Sequence, residues 1–393
     1  MDPLKSLFWV VLVAALAPIA ARLLPGRLPA VVFMLIGGVL IGPEVFAHAT
    51  PEDMSLLSTI GLSFLFLLAG YELEPQLIRE PAGKTAVRSW FVSATLAIGV
   101  TAVLYYTGVI TDFIEIAIAL TTTALGTLLP ILRDAGLMAG RFGQYIFAAG
   151  AAGEFLPIVA MALLLTSTGP VGGLVALFGM ALATLIALLI IRWVKRQEWG
   201  SKLMLPEDST GQNTLRWTLV LLAGLVLVAD DFGLDVVLGA FLAGVVLRQW
   251  APVSAESLER KLETVGYGVF IPIFFVTSGM KLDIVSILEN PGRLLLFFVL
   301  LFSVRGLPQL VMYRGQLDRT QRWQMVFLTA TALPLLVALA DVGTASGLML
   351  PENAAALVGA GALSVVVFPL VATGLTRSST GRAAETSGGA AAS

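Results

Sequence analysis

The 393-residue sequence contains no cysteine and a single histidine, His48. The first absence excludes disulfides, thiolate nucleophiles and Cys-ligated metals or clusters. The second leaves little for zinc binding or imidazole catalysis. Charge is scarce: 13 % of residues are Asp, Glu, Lys or Arg, against roughly 25 % in soluble domains. With 24 basic and 26 acidic residues the net charge is −2, so no basic surplus points to nucleic acid as a partner. Neither an HExxH pattern nor a mid-span aspartate pair is found, which argues against an intramembrane enzyme and a resident metal or cofactor. What the sequence has in abundance is apolar: 57 % hydrophobic residues and a mean hydropathy of +0.91. Because lipid forces every backbone polar group to find an internal partner, the expected class is an all-α polytopic membrane protein.

A spanning helix needs about 20 mostly apolar residues. Thirteen such runs occur, at 4–21, 28–46, 54–72, 86–108, 113–132, 143–166, 171–192, 215–229, 233–249, 264–280, 292–313, 322–340 and 352–374. The residues before the first run are too few and too weakly cationic for a signal-peptide n-region, so that run reads as a retained helix. Lysine and arginine collect on the cytoplasmic side. An outside N-terminus and a cytoplasmic C-terminus put 20 of the 24 basic residues inside, as expected of a multi-pass plasma (inner) membrane protein.

Two segments echo each other. Leu65–Glu74 (LFLLAGYELE) resembles Phe274–Asp283 (FFVTSGMKLD), while Thr123-Ala-Leu125 recurs as Thr331-Ala-Leu333 and Gly153 falls opposite Gly361, both at an offset of 208. The matches divide the chain into a first six-helix repeat (1–168), a linker helix and cytoplasmic loop (169–214), a second repeat (215–375) and a Gly/Ala/Ser/Thr-rich tail (376–393) that reads as disordered. An odd step of seven helices between the repeats inverts the second one, as in many secondary transporters.

Chemistry concentrates at two ionisable residues deep in spans, Glu154 and Arg305. Such groups are costly in lipid and normally face a cavity. Glu154 is a candidate for binding a proton or a cation; its structural alternative is a carboxyl tying helices together. Arg305 holds its proton and reads as a charge-compensating group for the carboxylate or for helix ends, the alternative being an arginine that snorkels toward the cytoplasm. The stretches Thr121-Thr122-Thr123-Ala-Leu125-Gly126-Thr-Leu-Leu-Pro130 and Thr329-Ala-Thr331-Ala-Leu333-Pro334 lie at corresponding points of the repeat. Mid-span Thr, Gly and Pro fit interrupted helices whose unwound carbonyls coordinate cations; back-bonded threonines in unbroken helices are the alternative. Asp230-Asp231 and His48 read as solvated outer residues, and Glu72 and Glu74 as helix-end charges at the opposite face.

Taken with Gly37–Pro43 (GGVLIGP), Gly61–Glu74, Thr121–Gly136 and Phe274–Asp283, the sequence resembles the second cation:proton antiporter family, the Nap-type and Kef-type exchangers, through nearly its whole length. The resemblance implies a Na+/H+ antiporter-like fold: thirteen helices with two inverted repeats, a crossed pair of interrupted helices, a homodimer, and a six-helix core moving as an elevator. It implies that Glu154 is the carboxylate that binds Na+ or K+ and H+, with Thr122, Thr123 and the backbone at Leu125 and Leu333 as further ligands, and that Arg305 is the basic residue of the preceding helix. Two features depart from the pattern. Gly153-Glu154 stands where electrogenic members carry Asp-Asp, and arginine replaces lysine. A single titratable carboxyl makes electroneutral one-for-one exchange the simpler expectation. The Kef-type soluble nucleotide-binding domain has no counterpart in these residues. The expected function is thus monovalent cation/proton antiport across the bilayer; the alternatives are a cation-coupled carrier of an organic solute and an uncoupled cation channel.

Overall fold

A computed structural model describes residues 2–23, 29–72, 80–134, 137–138, 140–165, 169–196, 213–250 and 255–389. The described residues are helical apart from turns, loops and one isolated bridge, Arg314 to Leu317. The helices are α1 (Pro3–Leu23), α2 (Ala30–Ile41), α3 (Ser55–Glu72), α4 (Pro81–Tyr106), α5 (Phe113–Ala119), α6 (Leu125–Asp134), α7 (Gly140–Leu164), α8 (Gly169–Arg196), α9 (Asn213–Asp231) and α10 (Val236–Trp250). Then α11 (Ala255–Val265) runs through a π turn (Gly266–Phe270) into α12 (Ile271–Met280), followed by α13 (Ile284–Glu289) and α14 (Pro291–Leu300). A second π turn, Leu301–Gly306, precedes α15 (Gln309–Met312), α16 (Arg319–Ala330), α17 (Pro334–Ala345) and α18 (Pro351–Gly389).

Local chemistry sets many of these ends. Asp283 opens α13 by accepting the Ser286 N–H at 2.9 Å. Asp318 and Gln321 form a reciprocal capping box at α16, with bonds of 2.8 and 3.2 Å. Proline stands in the first turn of α14 and α17, where its missing N–H costs nothing.

Among the described residues nine helices are long and apolar enough to cross a membrane. The other expected runs are occupied by the short apolar helices α2 and α10, by α9, and by the interrupted pair α5 and α6. The multi-pass membrane class follows from these lengths.

The chain folds into two compact units, each taking segments from both halves of the chain. The first comprises Met1–Leu24, Ala30–Leu73 and Ile158–Leu282, the second Pro25–Pro29, Glu74–Pro157 and Asp283–Ser393. In the first unit, glycines let backbones touch. A Cβ on Gly38 would collide with the Val276 carbonyl and one on Gly279 with that of Leu35, while Gly70 and Gly244 lie against the carbonyls of Phe241 and Leu67. Such small-residue contacts are how helices associate where lipid removes the hydrophobic drive. The glycines of the two echoing segments therefore join α2 to α12 and α3 to α10.

The second unit packs Leu128, Leu132, Tyr145, Ile146, Met325 and Leu328 into one apolar core. Its last helix continues to Gly389, through the tail whose composition reads as disordered. Extending an existing helix needs no new nucleus, so weak propensity alone does not stop it. Residues 197–212 of the linker loop and 390–393 of the tail lie outside the described residues, as do Glu74 and Gly136.

Candidate ion site

The site lies within the second unit, where two helices break. The first interruption spans 120–124, between α5 and α6, and the second spans 331–333, between α16 and α17. They are joined backbone to backbone, the Ala124 N–H donating to the Thr331 carbonyl at 2.8 Å. Pro334 explains the second break: lacking an N–H, it cannot bond back to Ala330. Leu333 before it adopts φ −144°, ψ −58°, outside the helical region.

Glu154 comes from α7, and its Oε1 accepts the Leu125 N–H at 3.0 Å and the Gly126 N–H at 3.5 Å. These are free N–H groups of the first turn of α6, a position that favours negative charge. Glu154 is half-buried, whereas Thr121, Thr122, Thr123, Leu125 and Leu333 are all buried.

The threonines divide into two groups. Thr121 and Thr122 turn their hydroxyls back to the carbonyls of Ile118 and Ala119, at 2.7 and 2.8 Å, so helix interruption and back-bonding occur together. Thr123 is a junction. Its N–H donates to the Gly153 carbonyl at 2.9 Å, its hydroxyl donates to the Thr329 carbonyl at 2.7 Å, and its Oγ1 accepts from Arg305 Nε at 2.9 Å.

Arg305 is 1 % exposed, which is not the position of a snorkelling side chain. It sits in the π turn, with Nη2 donating to the Ala149 carbonyl at 3.0 Å and Nη1 left without a partner. Its fork thus clamps the first break to α7. Gln309 Nε2 takes up the Arg305 carbonyl at 2.8 Å and is itself held through Ser89 at 2.7 Å.

Gly153 makes this clamp possible. A Cβ there would lie 2.5 Å from Thr123 Oγ1 and 2.7 Å from Arg305 Nη2. Its repeat counterpart, Gly361 on α18, stands 2.6 Å by the same measure from the Ala332 carbonyl of the second break. Ser364, one turn further on, accepts the Ala332 N–H at 3.0 Å.

The expected residues do not all gather at Glu154. Leu125 meets the carboxylate through its N–H, and the Leu333 carbonyl is taken by the Val337 N–H at 2.9 Å. Gly126 and Pro130 lie in the backbone of α6 beyond the break. Asp230, Asp231 and His48 are exposed, the last stacked on Trp9 with ring centroids 4.6 Å apart. Sequence reasoning missed Ser364, Gln309 and Ser89, polar residues without charge or motif; a hydroxyl or amide in mid-span was the one available signal.

Comparison with known proteins bears on the fold and the family. The fold matches the structure of the sodium proton antiporter MjNhaP1 from Methanocaldococcus jannaschii, with a TM-score of 0.67 at 16 % identity, covering 97 % of this chain and 98 % of that one. The glutathione-regulated potassium-efflux system protein KefC of Salmonella typhimurium is 28 % identical over 402 residues, 97 % of this chain and 62 % of KefC. Cation/H(+) antiporter 18 of Arabidopsis thaliana is 29 % identical over 322 residues, 72 % of this chain and 38 % of that protein. The chain therefore spans less than two thirds of the length of these two relatives. The sequence profile of the transmembrane sodium/hydrogen exchanger family matches residues 11–377, and with nearly the whole chain so covered, this protein belongs to that family.

Proposed function

We propose that this chain is a secondary-active antiporter exchanging Na+ or K+ for H+ at Glu154. The observation that carries the reading is the Glu154 carboxylate facing the N–H groups of Leu125 and Gly126 beside an interrupted helix. A half-buried carboxylate supplies a charge that either a proton or a hard cation neutralises, and the unwound stretch 121–124 offers the oxygen ligands such a cation takes. Competition of the two ions for one carboxylate couples their fluxes. Thr122 is the better placed of the two predicted threonine ligands, because Thr123 already serves the Arg305 guanidinium, which repels a cation.

The single carboxylate supports electroneutral exchange. Thr123 and Arg305 fill the space that a side chain at position 153 would occupy, so a second acidic group has no room at that position. Relatives named for sodium and for potassium keep both ions within the reading. Thirteen spans in two inverted repeats, an outside N-terminus with a cytoplasmic C-terminus, a homodimer in the plasma membrane and elevator-type movement complete the proposal. The orientation rests on the basic residues and the movement on the family likeness.

The test is cation-driven proton efflux from proteoliposomes, with and without a clamped membrane potential. Wild type should respond to Na+ or K+ and be indifferent to the clamp, and Glu154→Gln should give no exchange from folded protein. Exchange by the variant at the wild-type rate overturns the assignment, and folded wild type that gives no proton efflux with any cation moves the reading to a solute carrier.

A further inference from the structure

We propose that Gln309 and Ser89 are positioning residues for the exchange at Glu154: they lock the π turn that carries Arg305, and so keep its guanidinium on the first break and off the carboxylate. Arg305 needs such a lock. Its side chain is 1 % exposed, its two bonds go to the Thr123 hydroxyl and the Ala149 carbonyl, both neutral, and Nη1 has no partner. A buried charge with an unused donor gains from meeting a carboxylate. Glu154 directly follows Gly153, and a Cβ on Gly153 would stand 2.7 Å from Arg305 Nη2. What keeps Arg305 on neutral partners is the path of its own backbone.

That path is unusual. The Leu307 N–H reaches back five residues to the Phe302 carbonyl at 3.0 Å, and Pro308 has no N–H to offer the Val304 carbonyl. Such turns are rare and concentrate at functional sites. Gly306 seats the turn on α16, where a Cβ would lie 2.8 Å from the Val326 carbonyl. Gln309 closes it, Nε2 donating to the Arg305 carbonyl at 2.8 Å. Because that acceptor requires the amide NH2 group, Oε1 faces the other way, and there the Ser89 hydroxyl donates to it at 2.7 Å. Both side chains are buried, Gln309 completely. Ser89 forgoes the usual helical bond to do this. Thr85 and Thr95, on the same helix α4, turn their hydroxyls to carbonyls four residues back, whereas Ser89 reaches across 220 positions. A serine and a glutamine thus fix the main chain at Arg305 from α4.

The effect on transport rests on the antiport reading; the bracing of Arg305 does not. The variant to make in the full chain is Gln309→Met, which keeps length and apolar packing but loses both bonds. The first readout is the Arg305 Nε–H resonance of 15N-arginine-labelled protein, identified by its absence from Arg305→Lys. Hydrogen-bonded and buried in wild type, it should exchange slowly with water, and in Gln309→Met it should move and exchange faster. The second readout is proteoliposome exchange. A guanidinium released toward Glu154 competes with the transported cation, so the half-saturating Na+ or K+ concentration should rise on the order of tenfold while the maximal rate holds. Ser89→Ala, which removes one hydroxyl and leaves the Gln309 amide, should shift both readouts the same way by less, and it decides the matter if Gln309→Met does not fold. An unchanged Nε–H, or a lower maximal rate at unchanged half-saturation, overturns the positioning role. Wild-type exchange by Glu154→Gln together with a displaced Nε–H in Gln309→Met sinks the role of Glu154 and leaves the bracing standing.

Discussion

At the residue scale, Gly153 and Arg305 show how tightly the break is held. Because a methyl group at position 153 would meet Thr123 Oγ1 and Arg305 Nη2 well inside contact distance, Gly153→Ala should destabilise by about 1–3 kcal/mol, the usual cost of overpacking. Thermal melting in detergent checks this, and an unchanged melting temperature would show that the clamp yields easily. Arg305→Ala removes two charged hydrogen bonds and a fully buried side chain. A loss of about 3 kcal/mol or more is expected, and Arg305→Lys should recover only part of it, since one ammonium cannot reproduce a fork. If the lysine variant melts with wild type, bracing through both Thr123 and Ala149 is wrong. The ionisable residues Glu154 and Arg305 stood out in the sequence because charge in a span is rare. That Arg305 reaches Thr123, 182 positions away, and that Asp112 and Glu115 are buried, did not, because both depend on distant chain closing over them.

At the scale of elements, the two interruptions were legible from Thr, Gly and Pro in mid-span, but what sustains them was not. Ser364 satisfies the Ala332 N–H across 32 positions, and no local signal couples the two. Ser364→Ala should leave that buried N–H without an acceptor, at a cost of about 1–3 kcal/mol. Faster amide exchange at Ala332 with helix content unchanged is the signature to seek. Pro334→Ala restores the N–H that can bond the Ala330 carbonyl, so α16 and α17 should tend to join. The expected variant is at least as stable as wild type and slow in transport; wild-type exchange would mean that the second break is dispensable.

At the scale of the whole molecule, the proposed competition at one carboxylate has a pH signature. If protons displace cations there as proposed, the cation concentration for half-maximal rate should rise as pH falls, by about tenfold per pH unit once the free site is mostly protonated. Initial rates across pH at several cation concentrations measure it, and a pH-independent half-saturation would separate the proton and cation sites. The same scale shows a limit of linear reading. The echoing segments pair residues at an offset of 208, whereas the compact units draw helices from both halves of the chain. Helices partner by surface complementarity, as Gly38 with Val276 and Gly70 with Phe241 illustrate, and such matching leaves no trace in the order of the chain.

By itself the sequence determined the membrane class and the helical segments, and it singled out the two charged residues of the candidate site. Each follows from transfer energetics: long apolar runs must become helices in lipid, and a charge kept among them must face something other than lipid. Only the tertiary structure decided that Thr123 braces the break, that Leu125 meets Glu154 through its N–H, and that Asn353 donates to Asp112. Hydrogen-bond partners are chosen by geometry within about 3 Å, and that geometry exists only after helices far apart in sequence have packed.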